Sequence, residues 1–540
     1  MLVEGLEARV LPAPVLLQTV TNDTFEGLDY GQSANVNGGT PAVPPDSTGA
    51  VGPNHIVSAV NRAVTWHTKN WTGIRGTSLN AFFAGLAPAS LLFDPKVVYD
   101  PFADRYLVVA LEHTDNPQVG RILIAASNDG DPGDAGNPAG TWFREVINSF
   151  EVIGGQNSWA DFPGLAVDEE AIYITGNMFT FSQPQQLLGN RVWIVNKATV
   201  YDGVAQNIAA TRYDPYLQSG LPAVLGTLQP AQIYGTAAQA AAVGGFLVNT
   251  ENVAGNDELL TTITITTPLA SPVFTRRDLI VGNIDDQNAQ FLNAPQSGTP
   301  SRIDTNGTRA LNAVWRNGSL YTVNTVIPPA GPNAGQATVH WYHVSTAGNY
   351  SLLRQGNVGA EDLGAGTFTF FGAVAVDVFD NIGIGFSASN ANIFPGAYYA
   401  LIAAGASTTP NTSGPLVNGL VRETGTLVAG LDYYVRAAAG GSSRWGDYSA
   451  ISLDPDGRRF WVYNQYAIAR GQAGGIYAGD GRWGTRWGTF SSQEQFYRLY
   501  NPANSLHIFT GSFDERNTLI GLQYIDESLS PTVPAIFRPS

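Results

Sequence analysis

The sequence contains no cysteine in 540 residues and has only two methionines and six histidines. The missing cysteines exclude disulfide bonds and thiolate metal sites, although they do not decide the cellular compartment. The histidines show no metal-ligand spacing such as HExxH, and the chain has no G-x-S-x-G elbow, phosphate-binding loop or dinucleotide fingerprint. The sequence therefore offers no recognisable catalytic centre.

Positive charge and long apolar runs are scarce as well. The chain has 28 lysines and arginines against 44 aspartates and glutamates, which gives a net charge of -16. This balance argues against nucleic acid or an anionic membrane surface as the main partner. No apolar run approaches the roughly 18 residues that span a bilayer, so we expect no membrane insertion. The N-terminus also lacks the basic region and long apolar region of a signal peptide.

The chain is instead rich in short strand patterns separated by turn residues. Hydrophobic residues make up 44%, and there are 60 glycines and 32 prolines. Segments such as 97–111, 320–326 and 460–463 are β-branched and aromatic and are bounded by Gly, Pro, Asn or Asp. We therefore predict an all-β protein with a large core.

One phrase of the sequence recurs at wide spacing. WADFPGLAVDEEAIYITGNMF at 159–179 is echoed by RWGDYSAISLDPDGRRFWVYNQY at 444–466. Related strand-turn-strand units lie at 44–61, 92–112, 232–249, 309–324 and 370–387. Such spacing is typical of the four-stranded blades of a β-propeller, and a β-helix would show a much shorter period.

We therefore predict a β-propeller at 44–492 with seven four-stranded blades. Six or eight blades and a β-sandwich pair are the alternatives. Residues 1–43 form either a strand that closes the last blade or a loose leader, and residues 493–540 form a small β module.

Aspartates recur at the start of the predicted inner strands of four units: Asp46, Asp94, Asp161 and Asp447. Because equivalent strand ends meet at one mouth of the central channel, we expect a partial acidic ring with Trp159, Arg444 and Trp445 beside it. Such a ring suits a cation or sugar hydroxyls. The alternative is structural: each aspartate accepts backbone N–H bonds at a tight turn and locks its blade to the next.

The loop SNDGDPGDAGNPAGTW at 127–142 has two interpretations. It resembles an interrupted Asp box, the S-x-D-x-G-x-T-W turn of sialidases and other propellers, and the resemblance implies a structural turn. Its oxygen ligands also suit Ca²⁺: Asp129, Asp131, Asp134 and Asn137. A solvated turn is the alternative.

The sequence pattern changes near the C-terminus, where the segment QFYRLYNPANSLHIFTGSFDER occupies 495–516. This segment resembles a secreted bacterial repeat with the pattern Y-R-x-Y-N-P, H-x-F-T and E-R. The resemblance implies a module that holds cell-wall or carbohydrate material. Because a single copy is too short to bury its aromatic side chains, we expect them to contact the propeller or another chain. The expected contact residues are Phe496, Tyr497, Tyr500, His507 and Phe509.

The propeller region resembles a group of exported bacterial β-propeller proteins of unassigned function, through 44–61, DPKVVYDPFADRYLVV and the two echoed phrases. LEARVLPAP near the N-terminus resembles a leader pattern of bacterial surface proteins. These resemblances imply a secreted or cell-surface location. We predict a non-enzymatic binding or scaffold protein. Its expected partner is an extracellular glycan, an extracellular protein or a second copy of the chain. The alternative is a polysaccharide-active hydrolase, either sialidase-like or another glycosidase.

Overall fold

The computed structural model describes residues 20–133, 142–204, 208, 210–221, 223–254, 257–286, 292–404, 424–436, 442–470, 481–491, 497–510, 519–520 and 522–526. Nearly all regular structure in these ranges is antiparallel β-sheet. The strands are short, apolar and separated by Gly-, Asn- and Asp-rich turns, as the composition predicts.

The first three blades follow the chain from the inside of the molecule outward. Blade 1 contains Thr48–Val51, His55–Val60, Ala63–Thr68 and Arg75–Ser78. Blade 2 contains Phe93–Asp100, Arg105–Asp115, Gln118–Ser127 and Trp142–Asn148. Blade 3 contains Gln156–Val167, Ala171–Thr180, Leu187–Asn196 and Thr211–Tyr213, with Glu151–Ile153 beside the first of these.

Blades 4 and 5 are joined in one eight-stranded sheet. Blade 4 contains Gln229–Ile233, Gly245–Ala254, Asp257–Thr266 and Val273–Gly282. Blade 5 contains Asn312–Arg316, Ser319–Val326, Thr338–Ser345 and Ser351–Val358. Their innermost strands pair in parallel, with Ala231 opposite Ala313.

Blades 6 and 7 are two further four-stranded sheets. Blade 6 contains Phe368–Val376, Ile382–Asn390, Ile393–Ile402 and Gly425–Val428. Blade 7 contains Ala450–Leu453, Arg459–Ala469 and Arg482–Ser491, with Val20–Glu26 as its outer strand. The all-β propeller prediction is confirmed. The predicted number of blades stays a prediction, because it depends on dividing the eight-stranded sheet.

The innermost strands contact one another in sequence order around a closed ring. The first strand of each blade contacts that of the next, and Ala450–Leu453 of blade 7 contacts Thr48–Val51 of blade 1. Each pair of neighbouring blades encloses its own apolar core, as Val108 and Trp66 do between blades 1 and 2. The hydrophobic stabilisation is therefore spread between blades, and no blade buries both faces alone.

Glycines permit this close approach of the inner strands. A Cβ atom on Gly164 would collide with the Pro230 ring of blade 4, and one on Gly49 would collide with Trp487 of blade 7. A side chain at either position would push neighbouring blades apart, which explains the small residue at these points.

Part of the N-terminal segment pairs with the last blade. Val20–Glu26 pairs antiparallel with Arg482–Ser491, and Phe25 lies opposite Trp487. The backbone N–H of Gly27 then donates to the Thr485 carbonyl at 2.8 Å. The first and last blades are thus joined by chain from both ends of the propeller.

The remaining elements are short. A three-stranded sheet contains Ala294–Gln296, Thr299–Asp304 and Ser442–Arg444, and the C-terminal sheet contains Tyr497–Asn501, Leu506–Thr510 and Ile525–Asp526. The helices are Tyr30–Val36, Leu79–Phe82, Lys197–Tyr201, Pro215–Gln218 and Ala237–Val243, with 3-10 turns at Ala84–Leu86 and Glu361–Leu363. Among the described residues, none of the helices has the length and apolarity to cross a membrane.

Removing residues 1–27 is expected to lower the melting temperature, because blade 7 loses its outer strand and exposes the backbone edge of Arg482–Ser491. Differential scanning calorimetry should show a loss of several degrees relative to a chain that lacks only residues 1–19. Equal melting temperatures for the two truncations would contradict the closing role of Val20–Glu26.

The C-terminal module has a small core of its own. Leu499 is fully buried and packs with Leu519, Ile508 and Tyr524. The ring of half-buried Tyr500 packs against that of His507 in a tilted arrangement, with 5.0 Å between ring centroids. Phe496 lies outside the described residues, as do the side chains of Tyr497 and Phe509, so docking of these aromatics stays a prediction.

Deletion of residues 493–540 tests that prediction and leaves strand Arg482–Ser491 in place. A module that connects subunits or docks on the propeller predicts a smaller assembly or a lower melting temperature. The measurements are light scattering after size-exclusion chromatography and a melting curve. An unchanged mass together with an unchanged melting curve would show that the module neither connects subunits nor docks on the propeller.

Candidate functional site

Asp46, Asp94, Asp161 and Asp447 lie together at one end of the inner strands. They line a single cavity of about 280 Å³ at the channel mouth, and Arg444 lines it with them. The four residues come from blades 1, 2, 3 and 7. The fold thus brings together carboxylates that are up to 401 positions apart in the sequence.

The four aspartates do not occupy fully equivalent positions, which corrects the sequence alignment. Asp46 and Asp94 stand two residues before the first regular ladder pair of their blades, in left-handed conformations with φ of 46° and 47°. Asp161 and Asp447 stand one residue earlier relative to their ladders. Phe162, with φ of 53°, therefore occupies in blade 3 the position that Asp46 has in blade 1.

The left-handed residue is part of an irregularity where the chain enters the inner strand. The register shifts between Phe93 and Lys96 in blade 2 and between Asp161 and Gly164 in blade 3. A bulge of this kind turns side chains that would otherwise alternate between faces. Residues at two different offsets consequently reach the same cavity.

Asp46 links the last blade to the first. Its Oδ1 accepts the backbone N–H of Asp447 at 2.7 Å, and its Oδ2 accepts a hydrogen bond from Asn61 Nδ2. Asn61 Oδ1 in turn accepts the N–H of Asp94 at 2.8 Å. The structural interpretation therefore holds for Asp46, which joins blades 7 and 1, while Asn61 joins blades 1 and 2.

Arg444 is directed at one member of the cluster. Its Nη2 donates to both carboxylate oxygens of Asp447 at 2.6 Å, and Asn306 Nδ2 donates to Asp447 Oδ1 at 3.0 Å. Two further basic side chains lie over aromatic rings in or near the inner strands. Lys96 Nζ lies 3.2 Å from the centre of the Tyr448 ring, and the Arg309 guanidinium lies over Phe162 at 4.9 Å.

Burial and mutual repulsion disfavour the charged forms of these carboxylates. Burial, and then the charge of Asp447, raise the pKa of Asp46 to about 8. Burial and the neighbouring carboxylates also raise the pKa of Asp94 well above its usual range. The pKa of Asp161 rises to about 6, chiefly through burial. Because the like charges crowd in a low-dielectric cavity, the site retains protons near neutral pH.

Lys96 faces the channel behind the mouth. It contributes to the lining of a narrow cavity of about 100 Å³ between the inner strands. Burial lowers the pKa of Lys96 to about 7, against the opposing effect of the carboxylates of Asp94, Asp46 and Asp447. The acidic residues of the mouth therefore lie near a lysine that loses its proton at a lower pH than an exposed lysine does.

A second set of aspartates lies at the far end of the inner strands and has a structural role. Asp168 Oδ1 accepts the N–H groups of Glu170 and Ala171 at 2.8 and 2.7 Å, and its Oδ2 accepts the Tyr173 hydroxyl. Asp454 Oδ2 accepts Lys69 Nζ at 2.7 Å. The contacts of Asp168 fix the first hairpin of blade 3, and the contact between Lys69 and Asp454 joins blade 1 to blade 7.

The two predicted tryptophans do not line the mouth, which corrects their assignment as ligand contacts. Trp159 is buried and stacks on His113 at 4.0 Å between ring centroids. Trp445 is buried as well and donates its Nε1–H to Ser387 Oγ at 3.2 Å. Both side chains belong to the apolar cores, because aromatic rings at the start of an inner strand fill the space between blades.

The predicted calcium loop is described only in part, because Asp134 and Asn137 lie outside the described residues. Asp129 Oδ1 accepts the N–H of Asp131 at 2.9 Å, and Asp131 Oδ1 accepts the N–H of Gly133 at 3.1 Å. Side-chain to backbone bonds of this kind are those of a turn. Calcium binding at this loop stays a prediction.

Sequence inspection missed three residues around the mouth: Asn61, Lys96 and Asn306. Lys96 had a detectable signal, since a lysine in the apolar run of an inner strand is unusual. Asn61 has a counterpart in Asn177, which joins blade 3 to the N–H of Thr227 in blade 4 at 2.6 Å. That correspondence follows from strand register and is invisible in the sequence.

Comparison with known proteins identifies one domain family and only distant structural similarity. Residues 477–535 match a family described as a domain of unknown function, DUF5648. The matched region contains strand Arg482–Ser491 of blade 7 as well as the C-terminal module. No curated protein matches the chain.

Three solved structures illustrate the similarity. A mutant apocarotenoid oxygenase from Synechocystis is 10% identical, with 72% of this chain and 75% of that chain covered and a TM-score of 0.38. The Dos1 propeller is 8% identical, with 89% and 96% covered and a TM-score of 0.32. An α-L-arabinofuranosidase from Clostridium thermocellum is 12% identical, with 61% and 95% covered and a TM-score of 0.27. At these values the comparisons carry no argument about a shared activity.

The mouth should make the stability of the protein depend on pH in an uncommon direction. The pKa of Asp46 is about 8 in the folded chain and about 3.9 in an unfolded one, so the folded state binds more protons between these values. The contribution of Asp46 to stability is therefore fully present below about pH 4 and is lost as the pH rises to about 8.

The Asp94→Asn variant removes one of the crowded charges with little change of shape. In a buffer that contains a chelator, its melting temperature at pH 8 should exceed that of the wild type by at least about 2 °C, with the difference vanishing near pH 4. Thermal unfolding across this pH range is the measurement, and exposed Asp257→Asn is the control. A variant less stable than the wild type at pH 8 would contradict the electrostatic description.

Proposed function

We propose that the protein is a non-enzymatic binding protein of the bacterial cell surface that takes a small hydroxylated ligand, such as the end of a glycan, at the channel mouth. The observation that supports this proposal is the convergence of Asp46, Asp94, Asp161, Asp447 and Arg444 on one cavity. Carboxylates accept hydrogen bonds from the hydroxyl groups of a ligand, and a guanidinium donates hydrogen bonds to the oxygens of those hydroxyl groups. Several such groups in one concave site can recognise a hydroxylated ligand by its orientation.

The size of the cavity limits the ligand. Its volume of about 280 Å³ lies at the lower end of ligand pockets. A single sugar unit or a similarly small polar group fits that scale better than an extended chain. The proposed ligand is therefore a terminal unit that inserts into the mouth, with the remainder of the glycan outside.

The repetition of the acidic positions favours binding over hydrolysis. Asp46, Asp94, Asp161 and Asp447 recur from blade to blade, whereas a hydrolytic pair is usually set apart from the rest of a repeat. The two tryptophans predicted beside this ring, Trp159 and Trp445, are buried and do not line the mouth. A glycosidase of the sialidase-like or another type remains the second candidate, supported by the presence of several carboxylates in one cavity.

Secretion and attachment are parts of the same proposal. The leader-like LEARVLPAP and the Y-R-x-Y-N-P pattern support an exported protein. The C-terminal module, which resembles repeats of secreted proteins, would then connect the propeller to the cell envelope or to another subunit.

A glycan array with a parallel hydrolysis assay tests the proposed function. We expect wild-type protein to bind a subset of glycans without releasing reducing ends, and Asp161→Asn to weaken binding at least tenfold, which corresponds to about 1.4 kcal/mol. Asp257→Asn, an exposed change of the same chemistry, should bind like the wild type. Binding to no glycan would overturn the proposal, and release of reducing ends that stops in Asp161→Asn would favour the hydrolase.

A further inference from the structure

Three mouth aspartates form a tight group that draws on three blades. Asp46, Asp94 and Asp447 belong to blades 1, 2 and 7, and one oxygen of each lies within 4.8 Å of the other two. Their exposed fractions are only 1%, 8% and 7%. Buried carboxylates at such separations repel one another strongly unless something neutralises them.

The protein itself neutralises only one of the three directly. Arg444 contacts Asp447, whereas the described ranges place no basic nitrogen within 4.0 Å of the Asp46 or Asp94 carboxylate. Lys96 Nζ is directed instead at the Tyr448 ring, 3.2 Å from its centre. Either protons or a cation must therefore balance the remaining charge.

Asp94 is the feature that points to a ligand. Its side chain is more than nine-tenths buried and lines the mouth cavity, yet no donor among the described residues forms a hydrogen bond with its carboxylate. Its backbone N–H is satisfied by Asn61 Oδ1, so the residue is held in place while the carboxylate stays unpartnered. Because the carboxylate lines the cavity and has no donor among the described residues, its oxygens are available to an ion or to a ligand in the cavity.

We propose that Asp46, Asp94 and Asp447 bind one divalent cation of the Ca²⁺ type at the channel mouth. Hard cations of this type take carboxylate oxygens as ligands. Three carboxylate oxygens that all lie within 4.8 Å of one another can reach the same ion, because Ca²⁺ holds its oxygen ligands at about 2.3 to 2.6 Å.

The cavity provides room for the remaining ligands of such an ion. Its volume of about 280 Å³ admits several water molecules or the hydroxyl groups of a bound ligand. The inference rests on the proposed function only for the identity of those hydroxyls. The ion itself requires the three aspartates alone, and it would join blades 7, 1 and 2 at the place where the ring closes.

Calorimetric titration of the full chain with CaCl₂, after removal of metal with a chelator, tests this site. We expect saturable binding to the wild type and a rise in its melting temperature with Ca²⁺. Asp94→Asn should lose at least tenfold in Ca²⁺ affinity, and Asp257→Asn should titrate like the wild type. The melting temperature of Asp94→Asn in chelator shows that the variant is folded, because removal of a crowded charge stabilises the metal-free chain.

Several outcomes would overturn the site: no binding at millimolar Ca²⁺, equal affinity in Asp94→Asn, or a rise in melting temperature with spermidine but not with Ca²⁺. The glycan array run with Ca²⁺ and with chelator separates this inference from the proposed function. Ca²⁺ binding without any glycan binding supports the metal site and overturns the ligand. Glycan binding that is unchanged by chelator, in a chain that binds no Ca²⁺, supports the ligand and overturns the metal site.

Discussion

The closure of the ring between blades 7 and 1 is the constraint on which the rest of the structure depends. Apolar surface is buried between blades, so every blade needs two neighbours, and the last can find its second neighbour only in the first. The pairing of Val20–Glu26 with Arg482–Ser491 meets this need at the outside. The bond from the Asp447 N–H to Asp46 meets it at the inside.

The chemistry of the mouth follows from the same closure. Inner strands approach closely enough to require glycine at positions such as Gly164, and their first residues are consequently crowded. Carboxylates placed there lose water and approach one another, which raises the pKa of Asp46 and of Asp94. The site is thus a product of ring geometry as much as of residue type.

Much of this arrangement was accessible from the sequence. Repetition of a strand-turn-strand phrase predicts blades, and equivalent blades place equivalent residues at one mouth. That reasoning located Asp46, Asp94, Asp161 and Asp447 in one place. It failed at finer scale, because Phe162 rather than Asp161 occupies the left-handed position that Asp46 and Asp94 take, and the apolar pattern does not reveal this offset of one residue.

Side-chain direction was the other limit. Trp159 and Trp445 stand next to the aspartates in the chain but turn into the cores between blades. Asn61 comes from the second strand of its blade, and its contact with Asp94 depends on how two sheets are stacked. Such contacts depend on packing between units, which no repeat within a single unit encodes.

The eight-stranded sheet makes the ring mechanically uneven. Blades 4 and 5 share backbone pairing along Ala231–Ala313, Gln232–Val314 and Ile233–Trp315. Blades 7 and 1 are joined instead through side chains: the Asp447 N–H donates to Asp46, the Val51 N–H donates to Ser452 Oγ, and Trp487 donates to Ser58 Oγ. The ring is therefore held by the main chain on one side and by side-chain contacts at its closure, so substitutions can reach the closure more directly than they can reach the junction of blades 4 and 5.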